Sequence, residues 1–305
     1  QAEITNAGAT VDGGSRGWTQ FFNSSRASSV SITNEGGTAN NADGGRTEFS
    51  ADSDAEDAVI QNLAGMQPGA HGGYTALIAA ATAGSANITN GASTAASMGG
   101  GTLRFQNTST AQDATIINTG ATIAGGGRGW TDFYDSATAS YATITNHGGT
   151  AASAYGGQTE FRSASTAGHA LITNNGGTAA NANAGYTIFY STSNAGSATI
   201  TNGASSASQA LGGTLRFFDT SSAQDATITN AGITVSGGGR GWTEFYHSST
   251  AGSATITASG SNFFGGVVYF ADNSSAGSST LIAENGTGRG GEIQFTGKSS
   301  GATAA

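Results

Sequence analysis

A pentapeptide close to ATITN recurs along this chain. Its isoleucine falls at Ile4, Ile32, Ile60, Ile88, Ile116, Ile144, Ile172, Ile200, Ile228 and Ile256, each 28 residues after the last. A second apolar series keeps the same step: Phe21, Phe49, Leu77, Phe105, Phe133, Phe161, Phe189, Phe217 and Phe245. A fixed period of this size marks a solenoid, because each repeat is one unit that buries its apolar face only against its neighbours.

Inside the repeat the pattern has period two around the isoleucine. Ala stands two residues before it (Ala86, Ala114, Ala142, Ala170, Ala198, Ala226) and Asn two residues after it. Ala, Ile and Asn therefore share one face of a strand. The asparagines are Asn34, Asn62, Asn90, Asn118, Asn146, Asn174, Asn202 and Asn230, preceded by Asn6. An inward Asn is tolerable if each amide bonds its equivalents above and below, so these residues are expected to form a structural ladder. Thr10, Thr38, Thr94, Thr122, Thr150, Thr178 and Thr234 suggest a short second strand. A position that is Gly in every repeat, from Gly17 and Gly45 to Gly213 and Gly241, then opens a third strand and demands positive φ or close backbone approach. The inward residues of that strand are Thr or Leu and then Phe. A polar turn leads on to a constant Ala: Ala27, Ala55, Ala83, Ala111, Ala139, Ala167, Ala195, Ala223 and Ala251.

The expectation is an all-β chain: a right-handed parallel β-helix (β-solenoid) of about 28 residues and three strands per coil, roughly 11 coils in all. It reads as a single solenoid over 1–305. GGSRGWTQFF at 13–22 returns as GGGRGWTDFY at 125–134 and GGGRGWTEFY at 237–246, a super-repeat of 112 residues laid over the regular coils of 1–256. Over 257–305 the phenylalanines Phe245, Phe270 and Phe295 are spaced by 25, which predicts shorter coils.

Composition excludes several other classes. Gly 50 without a G-X-Y period is not collagen, and a disordered polar linker has no reason to hold Ile and Phe in phase. A net charge of −9 disfavours nucleic acid or an anionic membrane as partner. The chain has no Cys for a disulfide framework and no apolar run long enough for a membrane span. Gln1 reads as a mature N-terminus left by cleavage.

STAGSATITA at 249–258, GGTLRF at 100–105 and 212–217, and STAGHALITNNGGTA at 165–179 resemble passenger-type β-helix repeats of bacterial autotransporter and haemagglutinin-like surface adhesins. The resemblance covers nearly the whole chain and specifies architecture. It implies a secreted, extracellular protein at a bacterial cell surface.

No reaction chemistry stands out, and no catalytic, cofactor-binding or metal site is expected. His71, His147, His169 and His247 fall at four different positions of the repeat. No P-loop, nucleophile elbow or HExxH occurs. Asp132 and Glu160 precede Phe in neighbouring coils, a spacing at which two carboxylates could serve a retaining glycosidase. Arg104 and Arg216, one coil below Asp132 and Glu244, favour inter-coil charge pairs instead. The cluster Asp52, Asp54, Glu56 and Asp57 lacks a calcium-loop pattern.

The aromatics flanking the inward Phe form a surface contact row: Trp18, Phe22, Tyr74, Trp130, Tyr134, Tyr186, Tyr190, Trp242 and Tyr246. They recur on every second coil and suit a neighbouring rod, or a surface polysaccharide as partner. The leading expectation is a structural or adhesive rod that assembles head to tail into filaments and can bundle laterally. The chain begins at QAEITN inside a marker strand and ends at SSGATAA, the turn that leads into that strand. A carbohydrate-binding adhesin using the aromatic row is the alternative. An ice-binding face built from TIT at 143–145, 199–201, 227–229 and 255–257 is a lesser one.

Overall fold

The computed structural model describes residues 2–304, so Gln1 and its reading as a processed terminus lie outside the described residues. It contains twenty-two strands of four residues, from β1 (Glu3–Asn6) and β2 (Trp18–Phe21) to β21 (Thr280–Ala283) and β22 (Glu292–Phe295). They form two parallel 11-stranded sheets. The odd-numbered strands carry the Ile–Asn pattern and the even-numbered ones the Thr–Phe pattern. Register is strict: Ile144 pairs with Ile116 and Ile172, and Phe133 with Phe105 and Phe161. Each coil therefore sets like residues on like.

The third side of the coil differs from the sequence expectation in both place and length. The threonines at Thr10, Thr38, Thr94, Thr122, Thr150, Thr178 and Thr234 lie in bends and irregular chain, not in a second strand. The third parallel contact comes after the Phe strand, as a ladder of one residue per coil through Arg26, Asp54, Thr82, Thr110, Thr138, Thr166, Asn194, Ser222, Thr250, Ser275 and Ser300. It cannot lengthen because left-handed residues flank it on both sides, for example Asn107 (φ 57) before Thr110 and Gln112 (φ 44) after it. Asn, Asp and Ser fill many of these corners because their short polar side chains tolerate that backbone region. Asp135 Oδ2 accepts from Asn107 N, and Asp219 Oδ2 from Ser191 N, so the corner side chains also tie one coil to the next.

Between the two sheets lies a core of stacked columns. The Ile column from Ile32 to Ile256, the Phe column from Phe49 to Phe270, and Ala139 with its equivalents are all within 1% of full burial. Phe105, Phe133, Phe161 and Phe189 stack face to face with centroids 4.6–4.7 Å apart and ring planes within 7° of parallel. Isolated rings prefer an offset or edge-on approach; here the strand spacing of about 4.8 Å imposes the sandwich.

The asparagines stand at the inner edge of this core and are fully buried. Asn146 Nδ2 donates to Asn174 Oδ1 at 2.8 Å, and Asn118 Nδ2 donates to Asn146 Oδ1 at 2.8 Å. The ladder also reaches across to the other sheet. Thr159 Oγ1 donates to Asn146 Oδ1 at 2.9 Å, and Asn146 Nδ2 donates to Thr187 Oγ1 at 3.1 Å. Every donor and acceptor of the amide is thus used inside the protein, as a buried amide requires. The recurrent Gly owes its identity to the same column. A Cβ on Gly157 would lie 2.1 Å from the carbonyl oxygen of Asn118, and one on Gly185 2.0 Å from that of Asn146. Their φ angles lie outside the left-handed region, so close backbone approach is the reason for glycine.

Past residue 256 the coils shorten. Val267 pairs with Trp242, and Glu292 with Val267, each 25 residues on.

Ala139 has no spare volume around it, since its column is sealed on every side. Ala139→Leu should lower stability by about 1–3 kcal/mol through overpacking. A thermal or urea melt of the variant measures the loss, and an unchanged midpoint would refute the sealed column.

Candidate functional site

The outer face of the Phe sheet carries all three tryptophans and six of the eight tyrosines, interleaved with arginines and carboxylates. Trp130, Asp132 and Tyr134 belong to one coil, on β10 (Trp130–Phe133) and just after it. Gln158, Glu160 and Arg162 belong to the next, on and after β12 (Gln158–Phe161). The predicted contact row lies on this face, but it is not a free row of rings. Trp18 and Phe22 are mainly exposed, at 56% and 59%, whereas Tyr74, Trp130, Tyr134, Tyr186, Tyr190, Trp242 and Tyr246 are half-buried.

Arginines cover them. Arg46 lies over Trp18 and Tyr74 at 5.6 and 5.2 Å, Arg104 over Tyr74 and Tyr134 at 5.9 and 5.1 Å, and Arg162 over Tyr134 and Tyr190 at 5.8 and 4.7 Å. Ring and guanidinium thus alternate up the rod. The alternation ends at Tyr190, where Phe218 enters the row and stacks with Tyr190 and Tyr246 at 5.4 and 5.2 Å. Phe218 breaks the two-coil rhythm on which the sequence reading relied, and that reading passed over it. The pattern FF at 217–218 was the available signal.

Carboxylates complete the layer. Asp132 and Glu160 are register partners, and each is held by arginine: Asp132 by Arg104 at 3.1 Å and Glu160 by Arg162. Glu244 takes Arg216 Nε at 2.6 Å and the Tyr246 hydroxyl at 3.1 Å. Asp132 and Glu160 are almost fully buried although they lie on the outside of the sheet, because the long side chains around them form a second small interior.

Burial pushes the Asp132 carboxyl above the usual aspartate range, and Arg104 only partly offsets it. Asp132 Oδ1 and the Trp130 indole Nε1 both lack a hydrogen bond of good geometry, although the indole N–H still favours the charged carboxylate. Burial also pulls Arg104 down, but Tyr74 and Asp132 outweigh it and its pKa is raised. The strained partner of the pair is therefore the carboxylate. Glu160 is raised by burial in the same way. Tyr246 is pushed up to about 12 by burial, then by the charge of Glu244 and the hydrogen bond to it.

Beside this layer, at the corner where the chain passes from the Ile sheet to the Phe sheet, runs an open groove of about 1140 Å³. Its floor is glycine, at Gly44, Gly72 and Gly100, and its rims carry Arg16 at one end and Arg128 at the other. Asp43 links Arg16 at 2.9 Å to His71 at 2.8 Å. Arg128 lies over Tyr155 at 5.2 Å and Tyr186 at 4.9 Å. In sequence the glycine runs read only as strand openings. The groove arises because consecutive coils leave side chains off the same corner, which no single coil displays.

The other sequence candidates remain apart. His147 contacts Asn175, His169 stacks on Tyr141 and His247 meets Asp219, so no two histidines come together. Among the described residues no three His, Cys, Asp or Glu side chains are placed to hold a metal ion. Arg26 and Ser28 bind Glu56, and Ser29 binds Asp57, which ties that acidic cluster to the preceding coil. On the outer face of the Ile sheet, Thr199, Thr227 and Thr255 run in register beside Thr201, Thr229 and Thr257. Leu171 and Ile117 interrupt the threonine rows in earlier coils. Among the described residues no helix is long and apolar enough to cross a membrane.

No protein-family model, curated protein or solved structure matches this chain.

Replacing Trp130 and Tyr134 together by Ser removes two cation–π contacts, so about 1–2 kcal/mol should be lost while the circular dichroism spectrum stays that of a β-sheet protein. Loss of the folded spectrum would place this layer in the main core.

Asp132 also predicts a pH dependence. Its raised pKa means the folded chain holds that proton more tightly than the unfolded one. The contribution to stability is full below the ordinary aspartate pKa and is lost as pH rises through the folded value. Asp132→Asn should therefore melt higher than the parent at pH 7, with the gap closing towards pH 4. A gap that widened on acidification would reverse the sign.

Proposed function

We propose that this chain is a structural and adhesive rod of an extracellular bacterial surface protein, extended by joining coil to coil and end to end into filaments. The observation that supports this best is the self-complementarity of the coil. Up to the coil that holds Asn230, each coil presents to the next one the same Ile, Asn and Phe or Leu positions that it receives from the one before. The shorter coils beyond keep the Phe stack and an apolar residue in the Ile column, with Ala in place of Asn. Any second copy carrying that pattern fits the open edge of a sheet, and a heterologous contact that repeats without closing builds a filament. The resemblance to autotransporter and haemagglutinin-like passenger repeats supports a secreted, surface-exposed setting. In this reading the winding is right-handed, the hand that crossovers between parallel strands nearly always take.

Most of the sequence is committed to cohesion along the axis, through the Phe stack, the Asn ladder and the corner bonds. A stiff spacer that holds its outer face in one orientation over many coils has that design. Lateral bundling would use the exposed Trp18 and Phe22 and the arginine-covered rings beyond them.

Negative-stain images and concentration-dependent light scattering of the purified 305-residue chain test the assembly. Filaments one solenoid wide are expected. Ile4→Pro, which disturbs the edge strand β1, should leave only short rods while the β-sheet spectrum persists. A monodisperse single rod at high concentration would sink the end-to-end proposal.

A further inference from the structure

From the groove at the corner between the sheets we infer a binding site for an acidic oligosaccharide lying along the rod axis. The inference stands apart from end-to-end assembly and uses different residues.

Its first support is the sign of the charge. The protein as a whole carries −9, yet the groove is lined by four arginines, Arg16, Arg46, Arg104 and Arg128, against the single carboxylate of Asp43. Three of these arginines are already paired: Arg16 with Asp43, Arg46 with Glu48 and Arg104 with Asp132. Arg128 has no carboxylate partner among the described residues. The faces of Tyr155 and Tyr186 hold its guanidinium instead. Such packing orients the planar fork while leaving its N–H groups for a ligand carboxylate or sulfate, which it can take in two parallel hydrogen bonds.

The second support is shape. Gly44, Gly72 and Gly100 present bare backbone to the groove in a column that admits no side chain, since a Cβ on each would lie about 2 Å from a carbonyl oxygen of the next coil. Arg16 and Arg128 hold the same place in successive 112-residue blocks, four coils apart. At about 4.8 Å per coil they stand roughly 19 Å from each other. A linear ligand laid along the groove meets the same backbone at every coil, with Trp130 beside it as a flat amphipathic surface of the kind that accepts a sugar face.

The second block differs from the first at this corner. There Leu211, 56% exposed, stands where the first block has Gly99, and Arg240, the counterpart of Arg128, is paired with Glu292 at 2.7 Å. A densely charged nucleic acid would face the negative charge of the rest of the rod. A neutral sugar would leave Arg128 without a partner. A sparsely charged acidic glycan satisfies both conditions.

The test is calorimetric titration of the intact chain with a hyaluronan hexamer and a κ-carrageenan hexamer, which carry one carboxylate and one sulfate respectively per two sugars, against a neutral galactan hexamer. At least one acidic probe should bind, more weakly as salt rises, and the neutral one should not. The two acidic arms separate carboxylate from sulfate recognition. Arg128→Gln should weaken binding by roughly tenfold or more. Gly99→Leu, which copies the second block and leaves every charge in place, should abolish it. Circular dichroism checks the fold of both variants. No binding of either acid, equal binding of the neutral hexamer, or an affinity unmoved by both substitutions would overturn the assignment.

Discussion

The axial hydrogen bond between buried asparagine amides is the constraint on which the rest of this structure depends. A buried amide left without partners costs on the order of 1–3 kcal/mol, and each Asn here finds its partners only in the coils directly above and below and in the facing Thr. Asn118 and Asn146 illustrate the geometry, since each bonds its neighbour and the threonine of the opposite sheet. A slip of one residue in either sheet would orphan amides along the column and turn the Ile face outward. The ladder therefore selects register far more sharply than the apolar columns could alone. The Gly beside it follows as a consequence: with Asn146 O only 2.0 Å from where a Cβ of Gly185 would sit, the two sheets approach too closely for any other residue.

Once register is fixed, the outer face is fixed with it. Rings on every second coil become places for arginine on the coils between, and each guanidinium reaches one ring above and one below. The carboxylates then sit among the arginines under a cover of long side chains, which buries Asp132 and Glu160 on what is nominally a solvent face. Burial raises both carboxyls, so this layer is held by packing and by the cation–ring contacts more than by its ion pairs. Arg104, Arg162 and Arg216 spend their charge inside the layer. Arg128, one corner away, forms no ion pair there, although it lies over Tyr186 and its charge favours the ionised form of Glu160.

Much of the fold was legible in the sequence because the solenoid is quasi-one-dimensional and like stacks on like. The 28-residue step placed Ile, Phe, Ala and Asn in columns, and period two assigned their common face. The third side of the coil was not legible. Its left-handed corners are occupied by Asn, Asp, Ser, Ala and Gln as well as Gly, so no single residue type marks them. The threonines before the Gly resembled a strand only by composition. The outer layer was partly visible, as aromatics and charges at fixed positions, but periodicity does not show that Arg46 and Arg104 would lie over the rings instead of beside them. The groove was invisible for a related reason. It is a shared absence of side chains across coils whose individual glycines each have an ordinary structural explanation.

The change near residue 258 shows that the ladder and the coil length are one feature. Asn230 is the last asparagine of the column, and Ala258 and Ala283 occupy the next two places. With no amide above it, Asn230 turns its Nδ2 to the carbonyl of Val267 at 2.9 Å. The coil that follows is three residues shorter, and the whole deletion falls in the passage from the Ile sheet to the Phe sheet. β19 (Thr255–Ala258) is joined to β20 (Val267–Phe270) by fewer residues than Asn230 is to Trp242, whereas Phe245 to Ile256 and Phe270 to Leu281 are equally spaced. Ala needs no partner and leaves no amide to accommodate, so that corner can be cut without orphaning a polar group. The same corner carries the groove in the first block, where the longer connection with its glycines is retained. The connection at this one corner is thus shorter where the asparagine column has ended, while the Phe stack runs on unbroken from Phe245 through Phe270 to Phe295.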